Sequence, residues 1–225
     1  RLVNQDRNIF GSCMVACGDA DGMVTGVTRP FAVAYSEVTR VIDTKKGECP
    51  MGITMVMAQE HTILIADSGV HELPTSENLA DIACGAATYA RKLGQEPRVA
   101  ILSFSNFGQP KRRQMERVRM AVTLLDERKV DFEYDGEMTT DTALDFELMQ
   151  RIYPFCRLSG PANVLVMPDL HSASISSKLL QAQGDGSVIG PILEGLSKPI
   201  QIVQLGSRVS DLINAGAIAA YDAIA

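Results

Sequence analysis

The feature that most constrains the fold is an alternation. Short apolar runs of strand length recur between longer stretches with helical spacing. Ile53–Ala58 and Thr62–Asp67 read as strands around the turn-like Gln59-Glu60-His61. Arg98–Phe104, Phe132–Gly136, Asn163–Met167 and Ile200–Leu205 read as further strands. Val164, Leu165 and Val166 are continuously apolar, the mark of a buried strand. Between the runs, the spacing predicts a helix from Pro74 to Leu93, started by Thr75 or Ser76 as cap and stopped at Gly94. Others are predicted over Gln109–Arg128, Asp141–Ile152, His171–Ala182 and Ser210–Ile224. Strands that alternate with helices of this length are joined by crossovers, which means an α/β fold with a mainly parallel sheet.

Two segments rich in Gly, Pro and polar residues, Thr44–Pro50 and Gly184–Pro191, bracket a self-contained set of these elements and read as hinges. Residues 45–190 are therefore expected to form one α/β domain, with 1–44 and 191–225 packing together as a second, incomplete one. The chain opens on Arg1 rather than an initiator methionine and reads as a piece of a longer polypeptide.

Composition narrows the function classes. The net charge is -6, and the most basic run, Lys111-Arg112-Arg113, lies near Glu116 like a solvated helix start. A nucleic-acid partner is not expected. No apolar run approaches the ~18–20 residues of a membrane span. Cys13, Cys17, Cys49, Cys84 and Cys156 are scattered without a Cys-x-x-Cys pair, which fits reduced thiols in a cytoplasm. His61, His71 and His171 lack ligand-like spacing, so no metal site is expected.

Three polar turns are candidates for ligand contact. Gly18-Asp19-Ala20-Asp21-Gly22-Met23-Val24 suggests a calcium loop, but Gly22 comes fourth and Pro30 twelfth counted from Asp19, where such a loop needs Gly at the sixth position and Glu at the twelfth. It reads instead as a strand-to-helix turn, with Gly22 at positive φ and Asp as a cap, or as a tight turn at a cleft offering backbone N–H groups to an anion. Ser105-Asn106-Phe107-Gly108 ends a strand before a helix, at the sheet edge where ligands bind in parallel α/β folds. It suits either backbone donation to a ligand or plain capping. In Pro168-Asp169-Leu170-His171-Ser172, Asp169 could orient a ligand or cap the following helix.

Taken together, these stretches resemble the phosphate acetyltransferase and butyryltransferase family. The matches run through Gly18–Val24, Ala66-Asp67-Ser68 with Pro74-Thr75, and Glu96–Ala100. They continue through Leu102–Ser105, Asp135-Gly136-Glu137 with Asp141, and Ala162–Leu165 with Pro168-Asp169-Leu170, and end at Gly190–Leu193 with Lys198-Pro199. The resemblance implies two α/β/α domains around a cleft, similar to isocitrate dehydrogenases, the first of them incomplete in this chain. It also implies chemistry that moves an acetyl group between coenzyme A and phosphate. That reaction needs a base for the thiol and cationic donors for phosphate and the developing oxyanion.

The resemblance places the family's Asp at Asp211 and retains Gly206. It puts Gln204 and Leu205 where the family has Ser and Arg, with Ser207 and Arg208 close by but out of register. It puts Arg29-Pro30-Phe31 where the family has His-Ser-Thr, and Ser36 where a further Arg is expected. Losing one oxyanion donor costs ~10²–10³ in rate, so efficient acetyl transfer is not expected. Arg29 and Arg40 are left as sources of positive charge. The ligand-contact set implied for an acyl-CoA or phosphate cleft is Asp21, Gly22, Arg29, Arg40, Ser105, Asn106, Gly108, Asp169, Gly206, Ser207 and Arg208.

The variant Gly-Asp-Ala-Asp-Gly-Met-Val-Thr-Gly-Val-Thr-Arg resembles the phosphotransacetylase-like tail of NADP-dependent malic enzymes. This implies a regulatory module that binds acetyl-CoA or CoA, with NADP and a divalent metal held in upstream malic-enzyme domains, in a homo-oligomer. An active phosphate acetyltransferase and a purely structural oligomerisation module are the alternative expectations.

Overall fold

The computed structural model describes residues 2–58, 61–110, 115–183 and 186–224. Gln59 and Glu60 of the expected turn, the basic run Lys111-Arg112-Arg113 and Gly184 and Asp185 of the second expected hinge lie outside the described residues. The elements in chain order are α1 (Arg7–Cys17), β1 (Met23–Gly26), α2 (Phe31–Val38), β2 (Met51–Ala58), β3 (His61–Ala66), α3 (Ser76–Lys92), β4 (Arg98–Leu102), α4 (Glu116–Arg128), β5 (Glu133–Met138), α5 (Thr140–Leu144), α6 (Phe146–Ile152), β6 (Val164–Val166), α7 (Leu170–Gln183), β7 (Ser187–Glu194), β8 (Ile200–Val203) and α8 (Val209–Ile224). The fold is mixed α/β with mostly parallel strand pairing. No helix among the described residues is long and apolar enough to cross a membrane.

The chain divides into two compact units, Arg1–Gly52 with Ile189–Ala225, and Ile53–Val188. The divisions fall inside β2 and β7 rather than at Thr44 and Pro191. In the first unit β1 and β8 pair in parallel, Met23 opposite Ile200 through Gly26 opposite Val203. The larger sheet has the order β5-β4-β6-β3-β2-β7. Its β5, β4, β6 and β3 are mutually parallel, and β2 and β3 form an antiparallel hairpin. Val99–Leu102 and Val164–Val166 are buried at every position, as central strands covered on both faces must be.

Local chemistry explains the element ends. Thr75 caps α3 in a reciprocal box with Asn78. The helix then presents Leu79, Ile82, Ala83, Ala86 and Ala90 to the interior at helical spacing. The single helix expected over Asp141–Ile152 is two helices. Asp145 is extended (φ -102, ψ 97), and its carboxylate accepts from Leu148 N, which starts α6 afresh. Two expected loops are strands. Met23–Gly26 begins inside the polar turn Gly18–Val24, and Ser187–Glu194 begins inside the segment Gly184–Pro191 read as a hinge.

The Gly18–Val24 turn also runs the other way from expectation, from helix to strand. The left-handed residue is Gly18 (φ 83), which ends α1 by donating to Met14 and Val15 carbonyls. Gly22 is needed for close approach instead, since a Cβ there would lie 2.9 Å from the Pro199 carbonyl oxygen.

Candidate functional site

In the first unit, the parallel pairing of β1 and β8 brings their carboxyl ends side by side at Gly26 and Val203. The two loops that leave this edge are Val27–Pro30 and Gln204–Arg208. Gly26 sits at φ 111, and a Cβ on it would fall 2.0 Å from the Val203 carbonyl oxygen, so only glycine permits this approach. The Gln204–Arg208 loop turns on Gly206 (φ 76) and closes when Ser207 N and Oγ both donate to the Gln204 carbonyl, at 3.2 and 2.8 Å. Asp211 stands at the third position of α8 and accepts from Arg208 N at 2.7 Å, the return half of a capping box. Ser207 and Asp211 line an open surface pocket with Gly190, Pro191 and Gln201. Gln201 is buried, its amide clamped to Leu193 N and O at 2.9 and 3.1 Å. Arg208, Leu205 and Gly206 are exposed.

Arg29 lies at this edge, but its charge is already matched. Its Nη1 donates to Asp6 and to Glu37. Both bonds push the guanidinium further above its ordinary range. Glu37 also accepts from Asn8 Nδ2 at 2.6 Å, and Asn8 in turn accepts from Thr25 Oγ1. One cation between two carboxylates leaves a net negative cluster, which disfavours phosphate. The sequence left Arg29 as a source of positive charge; Asp6 and Glu37 cancel it. Neither partner was foreseen. Asp6 carried only a capping signal before α1, and Glu37 only the eight-residue spacing from Arg29.

Asp6 makes a pH prediction. Burial works to raise its pKa, but donation from Ile9 N, Arg29 and Asn8 N outweighs that and holds it below the usual carboxylate range. A lowered folded-state value means that the carboxylate's contribution is complete above the unfolded value of about 4 and is lost as pH falls through the lower folded one. Urea unfolding followed from pH 6 to 3 is expected to show stability falling below about pH 4, with a smaller fall in Asp6→Asn.

Asp21, Gly22 and Arg40 stand apart from this edge. Asp21 and Gly22 precede β1 and lie at its amino end, about 13 Å of strand away from the Gly26 edge. Arg40 follows α2, whose eight residues lead about 12 Å away from Pro30. The strand that intervenes, β1, was itself unforeseen, which is why the turn before it was assigned to the cleft.

In the second unit, Ser105, Asn106 and Gly108 lie just beyond the carboxyl end of β4, and Asp169 just beyond that of β6, its neighbour. Their polar groups are committed within the protein. Ser105 Oγ donates to Glu137 Oε1 at 2.8 Å and Gly108 N donates to the same oxygen at 3.0 Å. Asn106 N and Gln109 N are exchanged with each other's carbonyls, and Phe107 N goes to the Glu137 carbonyl. The Asn106 amide is held at both ends by Thr139. Asp169 accepts from Ser172 N and Oγ, each at 2.8 Å, and caps α7. Burial opposes ionisation of Asp169, but the Ser172 bonds and the charges of Arg117 and His171 keep its pKa lowered. The turn expected to offer N–H groups to a ligand is thus closed on itself.

Glu137 organises that turn, a role that its place in the Asp135-Gly136-Glu137 match did not reveal. It is fully buried, pairs with Arg119 Nη1 at 3.2 Å through Oε1, and leaves Oε2 buried without a hydrogen-bond partner among the described residues. Just beyond the carboxyl end of β3, buried Asp67 accepts from Gly69, Val70 and His71 backbone N–H groups and from His71 Nδ1. Among the described residues no group of three or more His, Cys, Asp or Glu is placed to hold a metal ion.

Comparison with known proteins places this geometry. The NADP-dependent malic enzyme of Rhizobium meliloti (strain 1021) is 56% identical over 223 residues, 99% of this chain and 29% of that protein. The phosphate acetyltransferase of Bacillus subtilis (strain 168) is 34% identical over 97% of this chain and 68% of its own length. The crystal structure of a phosphotransacetylase from Streptococcus pyogenes superposes with a TM-score of 0.89 at 34% identity, covering 96% of this chain and 67% of that one. The chain therefore spans under a third of the malic enzyme and about two thirds of the transferase. A profile described as phosphate acetyl/butaryl transferase matches residues 1–220. The chain belongs to the phosphate acetyl/butaryl transferase family.

Proposed function

We propose that this chain is an acyl-CoA-binding, regulatory phosphotransacetylase-like module of an NADP-dependent malic enzyme, with little or no transferase activity of its own. The observation that carries this reading is the edge formed by β1 and β8. The resemblance retains Gly206 and Asp211 at this edge, where Asp211 accepts from Arg208 N. The groups that would handle phosphate are not retained: Gln204 and Leu205 offer no cation, and Arg29 is held between Asp6 and Glu37. Phosphoryl and oxyanion chemistry depends on preorganised positive charge, whereas binding a thioester does not require it. Likeness to malic enzymes supports the parent protein, in which upstream domains would hold NADP and a divalent metal and decarboxylate malate.

Regulation in this reading is a coupling between sites. Acetyl-CoA must bind the less active conformation better than the more active one, typically by 1–3 kcal/mol, or about 5–150-fold. The test is malate-dependent NADPH formation by the full-length protein as acetyl-CoA is raised to millimolar levels. The rate is expected to fall, and a rate that stays constant while acetyl-CoA is bound contradicts the regulatory role.

An active transferase is the second reading, and the exposed Arg208 on the Gln204–Arg208 loop is the observation that favours it. A part in assembly is favoured by apolar side chains left exposed on helices, with Ile175 and Leu179 on α7 and Val209 and Ile213 on α8. Full-length protein lacking this module then loses its subunit association.

A further inference from the structure

One flank of the first unit is open in every layer. β1 pairs with β8 along one side only, in a sheet of two strands. Met23 N and Val27 N donate to the Pro199 and Val203 carbonyls on that side. Backbone direction alternates along a strand, so the N–H groups of Val24 and Gly26 and the Val24 carbonyl point to the other side. No strand among the described residues pairs with β1 there. The Gly26 carbonyl is taken by Thr28 N.

The helices on either face of β1 are bare as well. Met23 and Thr25 turn toward α1: a Cβ on Gly11 would lie 2.6 Å from Met23 Sδ, and Thr25 Oγ1 donates to Asn8. Gly22 turns toward α8, where a Cβ on it would lie 3.7 Å from the Ala219 carbonyl oxygen. The inward side of α8 buries Ala215 and Ala219. Its outward side is apolar too, with Val209, Ile213 and Ile224 exposed by 72%, 65% and 85% and Gly216 and Ala220 at helical spacing between them. On α1, Phe10, Met14 and Cys17 are exposed at helical spacing. A helix that is apolar on both sides belongs in an interior.

We propose that the open side of β1 and the outward face of α8 receive a parallel strand and its crossover helix, supplied by a part of the same polypeptide outside these 225 residues. Unpaired backbone groups on β1 call for a strand, and the apolar stripe on α8 calls for a helix beside it. Parallel sheets are covered on both faces, so the incoming strand is a continuous apolar run, and its helix brings an apolar stripe of its own. The chain spans 67% of the Streptococcus pyogenes phosphotransacetylase on which it superposes, so about a third of that fold lies outside it. One strand–helix–strand unit takes only about 30 residues. The proposal rests on the longer parent polypeptide of the preceding reading and not on its acyl-CoA ligand. It takes Val209 and Ile213 away from the assembly reading and leaves Ile175 and Leu179 to it.

The test uses full-length protein without acyl-CoA, so a failure of acyl-CoA binding or regulation does not bear on it. Residue-resolved hydrogen exchange is expected to find the Val24 and Gly26 amides as protected as those of Met23 and Thr25, at every protein concentration. Free exchange at Val24 and Gly26 means that the flank is bare and overturns the proposal. Protection that is lost on dilution to single subunits makes the flank a contact between copies, and that also overturns it. Gly216→Leu reads the α8 face by the sign of its effect. A Cβ at Gly216 meets nothing within 4 Å in this chain, and leucine is the better helix former. On a bare helix the substitution therefore raises the midpoint of thermal unfolding, which would overturn the covering of α8. Beneath a packed helix the added side chain has no room, and a fall of at least about 2–4 °C is expected.

Discussion

Gly26→Ala is expected to unfold the first unit, at a cost above about 4 kcal/mol, in the range reserved for defects that a structure cannot absorb. The added Cβ would meet the Val203 carbonyl oxygen at 2.0 Å and the Val203 C and N atoms at 3.0 Å. These are backbone atoms of the paired strand, so no side chain can move aside. The φ of 111 adds strain of its own for any residue with a Cβ. Relief requires β1 to part from β8, its partner in the two-stranded sheet. Hydrogen exchange should show the β1 and β8 amides losing protection together. Gly18→Ala is the control. It also sits in the left-handed region (φ 83), but a Cβ there meets nothing within 4 Å, so the expected cost is only about 1 kcal/mol. Equal effects of the two substitutions would show that close approach is not what Gly26 provides.

Glu137→Ala is expected to cost about 3–5 kcal/mol, the range for breaking a buried ion pair by removing one partner. Three donors lose their shared acceptor: Ser105 Oγ, Gly108 N and Arg119 Nη1. The first two hold the turn after β4, and the third links that turn to α4. Glu137→Gln separates charge from shape. Its amide oxygen can still accept from Ser105 and Gly108, so the loss is expected to be smaller, about 1–3 kcal/mol. Thermal unfolding measures both. A loss under about 1 kcal/mol for Glu137→Ala would mean that this carboxylate does not hold the turn.

The central strands and longer helices were legible because burial imposes a period on sequence. Val164–Val166 could only be a covered strand, and the Thr75 box with Leu79, Ile82 and Ala86 announces α3 by spacing. What escaped was set by context. Met23–Gly26 is four residues between a polar turn and an arginine, and it becomes a strand only because Ile200–Val203 pairs with it. Ser187–Glu194 contains Gly190 and Pro191, which suit a hinge as well as the outermost strand that they form. Asp145 reads as an ordinary surface residue of one helix until its carboxylate is seen starting a second.

The candidate site shows the same division. Gly206, Ser207 and Asp211 belong to one continuous loop and helix start, so the resemblance could place them by spacing along the chain. The fate of Arg29 depended on Asp6, twenty-three residues away, and on Glu37 across a turn of chain. No local pattern links the three. Asp21, Gly22 and Arg40 stand away from the β1/β8 edge, and this was not legible, because a sequence shows which residues are polar but not which end of a strand or helix they stand at.

The central claim is that the scaffold was kept for binding while the phosphate step was lost. The most direct measurement is dialysis of the full-length protein against acetyl-CoA labelled in its acetyl group, with phosphate present, followed by identification of the label. The label is expected to be retained by the protein and recovered as acetyl-CoA. Recovery as acetyl phosphate, abolished by Asp211→Asn, or no retention at millimolar acetyl-CoA, would contradict the account.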